Sequence, residues 1–90
     1  MNAEIRKQLA KIHKELEEMS SKLEDLKNDV ETIKDEEQEK FDNLSEGLQA
    51  GEKGQKIEEA ASALDTAFSS LEGAYDNIIE AMEEIDNASV

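Results

Sequence analysis

The sequence predicts an all-α protein, an antiparallel two-helix coiled-coil hairpin that dimerises into a four-helix bundle. Three observations lead to this prediction. Two long segments each carry an unbroken seven-residue repeat of apolar residues, a connector with three glycines separates them, and the charges beside the repeats are complementary when the segments run in opposite directions. We expect one domain over residues 1–90, with helix one at about 3–43, the connector at about 44–54 and helix two at about 55–88.

Helix one follows from the spacing of its apolar residues, which alternates between four and three positions without a break. In a heptad written abcdefg, this spacing fills positions a and d, which share one side of an α-helix and form the seam of a coiled coil. The a positions are Leu9, Leu16, Leu23 and Val30, and the d positions are Ile5, Ile12, Met19, Leu26 and Ile33.

Helix two repeats the pattern. Its a positions are Ala61, Phe68, Tyr75 and Met82, and its d positions are Ile57, Leu64, Leu71, Ile78 and Ile85. The g positions beside this seam are all alanine: Ala60, Ala67, Ala74, Ala81 and Ala88. Small residues there allow close helix approach, which is typical of bundles with more than two helices. We expect the alanines to pack inside the protein's own assembly; a docking groove for a foreign helix is the alternative.

The connector begins where the first repeat fails, because Glu37 and Lys40 occupy its next a and d positions. Three glycines then supply the backbone freedom expected of a chain reversal: Gly47, Gly51 and Gly54. Phe41, Leu44 and Leu48 lie at spacings of three and four, which predicts an apolar strip. This strip either caps the end of the bundle or contacts a partner.

The e positions favour the antiparallel hairpin. Folding about residues 49–50 sets Lys34 beside Asp65, Lys27 beside Glu72 and His13 beside Asp86, and no like charges meet. A parallel homodimer of helix one would instead set Lys22 against Lys27. A hairpin alone buries too little apolar surface to offset the entropy of ordering the chain. We therefore predict a homodimer in which the alanines meet a second hairpin.

The composition narrows the classes of function. The net charge is −14, with 38% charged residues and no cysteine. Residues 1–34 carry a net charge of −1, residues 35–55 carry −5 and residues 56–90 carry −8. Such a chain repels nucleic acids and anionic membranes. It contains no apolar run long enough for a membrane span and no secretory signal, so we expect a cytoplasmic protein, or one in the host cytoplasm if a phage encodes it.

No enzyme chemistry is predicted, and we expect no catalytic residue, cofactor site or metal site. The single histidine, His13, lies at an e position among lysines, where a flanking role is expected. No metal-binding spacing is present. The segment GEKGQK at 51–56 lacks the spacing of a phosphate-binding loop. The acid-rich segment before it lacks the alternating ligands of a calcium loop.

The segment DEEQEKFDNLSEGLQAGEKGQ at 35–55, followed by an alanine-rich acidic helix, resembles small uncharacterised proteins of bacteriophages and bacteria. Their central pattern reads approximately E-E-Q-x-x-F/Y-D-N-L/M-P-E-x-L/F-Q-x-x-E-R/K-G. Ser45 stands where this pattern usually has proline, and Lys53 where arginine is common. The resemblance is close over 35–55 and looser over 56–88, and it implies a virus-associated protein without specifying an activity.

The same segment supplies the predicted interaction site. We call it the acidic tip, and it comprises Asp35, Glu36, Glu37, Glu39, Phe41, Asp42, Leu44, Glu46 and Leu48. One interpretation is a phage-type inhibitor whose carboxylates imitate the phosphates of DNA and bind a basic, nucleic-acid-handling or defence protein. The alternative is a structural oligomerisation or scaffold element whose acids only maintain solubility.

Overall fold

A computed structural model describes residues 1–90 and contains three α-helices: α1 at Ala3–Asp42, α2 at Glu46–Ala50 and α3 at Glu52–Ala88. The long helices α1 and α3 lie side by side as an extended hairpin of 68 × 15 × 13 Å. The fold is therefore all-helical, as the two heptad repeats predict. None of the helices combines the length and the apolar composition needed to cross a membrane.

Capping residues set the beginnings of α1 and α2. The side chain of Asn2 accepts a hydrogen bond of 2.9 Å from the backbone N–H of Ile5. The hydroxyl of Ser45 accepts one of 3.4 Å from the N–H of Leu48, so that Ser45 is the N-cap of α2. Each cap satisfies an N–H that the first helical turn leaves unpaired.

The connector differs from the flexible reversal that its glycines predict. The five-residue helix α2 lies within it, α1 ends at Asp42, and α3 begins at Glu52 rather than near 55. No glycine has a positive φ. Gly54 is instead buried because α2 and α3 cross there, and a Cβ added to it would collide with the backbone of Gln49. The turn therefore needs a residue without a side chain at position 54, not a left-handed backbone.

The two long helices run antiparallel, with their e positions along one edge of the hairpin. Lys34 Nζ lies 3.5 Å from Asp65 Oδ1, and His13 Nε2 lies 3.3 Å from Asp86 Oδ1. Both contacts agree with the predicted register. The third predicted pair is not formed, because Lys27 lies over the aromatic rings of α3. Its Nζ is 5.6 Å from the ring centroid of Phe68 and 5.8 Å from that of Tyr75, positions at which a cation is attracted to an aromatic face.

The predicted seam of α1 is rotated within the hairpin. The a positions of α1 are half-buried, and so are the e positions His13, Lys27 and Lys34, whereas the e position Ser20 is buried. The d positions are exposed: Ile5, Ile12, Met19, Leu26 and Ile33 are 42%, 45%, 54%, 45% and 48% accessible. On the side that faces α3, the ammonium groups of Lys27 and Lys34 lie over the Phe68 ring, each 5.6 Å from its centroid, while the d positions face outward. The seam of α3 keeps both its a and d positions against α1.

Burial is thin along the whole hairpin. Only Ser20, Gly54 and Ala61 are buried, and no large side chain is fully enclosed. The Ser20 hydroxyl donates a hydrogen bond of 2.8 Å to the carbonyl of Glu17, so its burial leaves no unpaired polar group. The hairpin therefore shields the a positions of α1 and the a and d positions of α3 only in part, and it leaves the d positions of α1 exposed.

A charge reversal at Lys34 tests the register of the hairpin. We expect Lys34→Glu to lower the free energy of unfolding by about 1 kcal/mol, because it sets two carboxylates together and removes a cation from the Phe68 ring. The double change Lys34→Glu with Asp65→Lys restores most of the loss. Chemical denaturation followed by circular dichroism measures both effects. Lys14→Glu makes the same charge change at an exposed position of α1 without an ion-pair partner, and it is the control.

Candidate binding surface

The apolar residues of the acidic tip divide into a packed pair and an exposed residue. Phe41 and Leu44 are half-buried, whereas Leu48 on α2 is 50% exposed. The side-chain amide of Gln49 donates a hydrogen bond of 3.0 Å to the carbonyl of Phe41, which ties α2 to the end of α1. Phe41 and Leu44 are therefore partly shielded within the hairpin, and Leu48 is the apolar residue that the tip presents outward.

Three of the six carboxylates of the acidic tip have a partner within the chain, and three have none. Glu37 is half-buried and accepts a hydrogen bond of 2.8 Å from Lys40 Nζ. That hydrogen bond raises the pKa of Lys40 above its ordinary value. Asp42 accepts a hydrogen bond of 3.1 Å from Gln38. The remaining acids of the tip are exposed: Asp35, Glu36, Glu39 and Glu46. Of these, only Asp35 has a cation within 4 Å, Lys34 at 3.9 Å.

Unpaired carboxylates extend along the whole rod. Six of the 24 acidic residues have a basic partner within 4.0 Å, which leaves eighteen without one. All acids except Glu24 and Glu37 are exposed. A surface of this kind has a strong negative potential that ion pairs within the chain do not neutralise.

A second surface is apolar. On a helical wheel, positions d and e flank position a on opposite sides, and position g lies next to position d. Because the e positions of α1 and α3 meet along one edge, the d positions of α1 and the g positions of α3 share the opposite side of the hairpin. We call this side the apolar face, and it comprises Ile5, Ile12, Met19, Leu26 and Ile33 of α1 with Ala60, Ala67, Ala74, Ala81 and Ala88 of α3. Four of these alanines are exposed, and Ala74 is half-buried.

The middle of α3 is almost free of charge. Residues 60–75 contain only two charged side chains, Asp65 and Glu72, and both lie at e positions on the edge shared with α1. The other outward positions of this stretch are alanine, serine, threonine and glycine: Ala60, Ser62, Ala63, Thr66, Ala67, Ser69, Ser70, Gly73 and Ala74. The heptad repeat predicts the alanines but not this wider uncharged surface. The local composition of the stretch indicates it.

Four polar residues line one shallow groove of about 230 Å³ at the open end of the hairpin: Arg6, His13, Asp86 and Ser89. His13 contacts Asp86, but the Ser89 hydroxyl donates its hydrogen bond of 2.7 Å to the carbonyl of Ile85. A nucleophilic serine needs a hydrogen bond to the base that accepts its proton, and Ser89 uses its proton elsewhere. No group of three or more histidine, aspartate or glutamate side chains is arranged to hold a metal ion.

Comparisons with known proteins add no family to this description, because no protein-family model, curated protein or solved structure matches the chain.

Proposed function

We propose that the protein is a non-enzymatic, acidic protein-binding module. Its partner in this proposal is a basic, nucleic-acid-handling protein, such as a component of a host defence complex, in the host cytoplasm. The carboxylates occupy the cleft in which that partner binds phosphates, as a phage-encoded inhibitor would. The observation that supports this function is the set of eighteen acidic side chains without a basic partner.

The charge spacing supports mimicry of DNA by a dimer better than by a single hairpin. A charge of −14 along 68 Å corresponds to one negative charge per about 4.9 Å. Duplex DNA has one negative charge per roughly 1.7 Å of axis, and each strand has one negative charge per roughly 3.4 Å. Two hairpins side by side have one negative charge per about 2.4 Å, a spacing between those of a single strand and of the duplex. The mimic is therefore proposed as a dimer.

Capture from a bacterial lysate tests this function. The tagged protein should retain a defined nucleic-acid-binding protein at low salt, high salt should release it, and duplex DNA should displace it by competing for the same cleft. The purified partner should then show weaker DNA binding in the presence of this protein. Absence of a specific partner at both salt concentrations, or a partner that still binds DNA while captured, contradicts the proposal.

The acidic tip should carry a disproportionate share of this binding. We expect the triple change Glu36→Gln, Glu39→Gln and Glu46→Gln to weaken binding of the captured partner at low salt by about tenfold or more, because all three carboxylates are exposed and unpaired. Titration calorimetry with the purified partner measures the effect.

The control for the tip variant removes the same charge elsewhere. Glu80→Gln, Glu83→Gln and Glu84→Gln neutralise three exposed carboxylates of α3 near the open end of the hairpin. Equal losses for the two triple variants would show that binding depends on total charge and not on the tip.

A structural oligomerisation element is the second candidate function. The apolar face favours it, since five large apolar residues of α1 are 42–54% exposed along one side of the hairpin. In that function the carboxylates only maintain solubility, and the chain forms its oligomer without retaining a basic partner at either salt concentration.

A further inference from the structure

The apolar face is the largest unpartnered feature of the hairpin. A soluble chain rarely leaves an apolar side chain exposed at every seventh residue over more than half of a long helix. At its middle, Met19, Lys22, Leu23 and Leu26 line a groove of about 200 Å³. These residues are separated by three, one and three positions, which is the set of four that receives an inserted side chain in a coiled coil.

The register of the hairpin sets large residues level with small ones across this face. Lys34 lies opposite Asp65, and His13 lies opposite Asp86. In both pairs the residue numbers add up to 99, so a residue of α1 and a residue of α3 are at the same height along the rod, or level, when their numbers add up to about 99. On this scale Ile33 is level with Ala67, Leu26 with Ala74, Met19 with Ala81 and Ile12 with Ala88, each within one residue, or roughly 1.5 Å. The face thus has a ridge of large side chains on α1 and a parallel depression over the alanines of α3.

We propose that a second copy of this chain covers the apolar face, related to the first by a two-fold axis parallel to the rod. Rotation about such an axis leaves every residue at the same height along the rod. It places α1 of each copy against α3 of the other. Four large side chains of the ridge, those of Ile12, Met19, Leu26 and Ile33, then each meet an alanine of the second copy at the same height, so that large and small residues alternate around the core, whereas Ile5 lies beyond the end of α3. The product is a four-helix bundle in which every adjacent pair of helices is antiparallel.

The side of the hairpin that carries the apolar face is large enough for a dimer interface. The whole side measures 68 × 15 Å, or about 1,000 Å² on each copy with its polar rim included, against the roughly 800 Å² per partner of a standard protein interface. A single hairpin buries only three residues, and the second copy supplies the apolar contact that it lacks.

The charges at the rim of the apolar face are compatible with this two-fold dimer. The g positions of α1 border the ridge, and the two-fold axis sets Lys22, Asp29 and Glu36 against positions 77, 70 and 63 of the second copy. Those positions hold Asn77, Ser70 and Ala63, which are uncharged. The uncharged middle of α3 thereby removes charge repulsion where the copies approach. One like pair, Glu15 against Glu84, lies toward the open end.

A size exchange tests the interface. Sedimentation equilibrium of the wild-type chain, whose monomer mass is 10.0 kDa, should give twice that mass. We expect Ile33→Ala to weaken the dimer by about tenfold or more, because apolar contact is lost at two symmetric sites. Ala67→Ile should weaken it similarly by overfilling the depression. The double variant should recover most of the affinity, since each new isoleucine again meets an alanine.

The size-exchange experiment needs a control for folding and a control for truncation. Ile33 and Ala67 are both exposed in the hairpin, so neither substitution removes a buried contact within one copy. Circular dichroism at the concentrations used for sedimentation shows whether a variant that dissociates also loses its helices. Ser21→Ala is the matched truncation on the outer side of α1 and should leave the affinity unchanged. A helical wild-type chain that remains at monomer mass overturns the proposal and leaves the face to a different protein. A dimer in which the double variant is weaker than both single variants overturns the axis, because α1 then packs against α1.

Discussion

Replacing Gly54 by alanine should destabilise the hairpin by at least about 2 kcal/mol. The added methyl group would enter the backbone of Gln49, and backbone atoms cannot move aside as the end of a flexible side chain does. Relief requires α2 to separate from α3, which would also disturb the hydrogen bond from Gln49 to the carbonyl of Phe41. Denaturant unfolding followed by circular dichroism measures the loss, and the resonances of residues 41–55 should show the largest chemical-shift changes.

Gly73→Ala is a matched control for which we expect a change in stability of the opposite sign. Gly73 lies inside α3, and apart from the backbone of its own helix no atom lies within 4 Å of a Cβ added to it. Gly73→Ala should therefore stabilise the chain by about 0.5–1 kcal/mol, the ordinary gain from replacing a helical glycine. If Gly54→Ala also stabilised the chain, the close crossing of α2 and α3 would be wrong.

Leu23→Asp should cost about 3 kcal/mol or more and unfold much of the chain. Leu23 lies at an a position near the middle of α1, half-buried against α3. A carboxylate there loses hydration without gaining a partner, while the apolar contact of the leucine disappears. Helix content measured against temperature should fall with a single, earlier transition.

The control for Leu23→Asp is Asn28→Asp, which adds the same charge to an exposed position of α1. Its effect should stay within about 0.5 kcal/mol, as for most surface substitutions. Comparable losses for the two variants would show that total negative charge, and not packing at the seam, governs stability.

The sequence predicted the long helices well because a heptad repeat directly reports which residues are apolar on one side of a helix. It predicted the antiparallel register because that direction sets His13 and Lys34 beside acids of α3 and brings no like charges together. A repeat does not specify which neighbour covers each apolar position. The rotation of α1 toward its e positions brings the ammonium groups of Lys27 and Lys34 over the rings of α3, a tertiary contact without a sequence signal.

The connector shows a second limit of sequence analysis. Glycine has two uses, a left-handed backbone and the absence of a side chain, and a sequence does not distinguish them. Gly54 serves the second use, which depends on how closely α2 approaches α3. In the acidic tip, the spacing of Phe41 and Leu44 predicted an apolar strip, but the different exposure of Leu48 follows from its place on α2.

Thin burial also affects how this chain can evolve. Only three residues are enclosed, and most outward positions contact nothing but solvent. Exchanges at those positions cost little stability, so a lineage can rewrite its outer residues while the repeats preserve the architecture. Under the proposed function, the specificity for a partner can therefore change quickly, and relatives would be recognised by periodicity before they are recognised by identity.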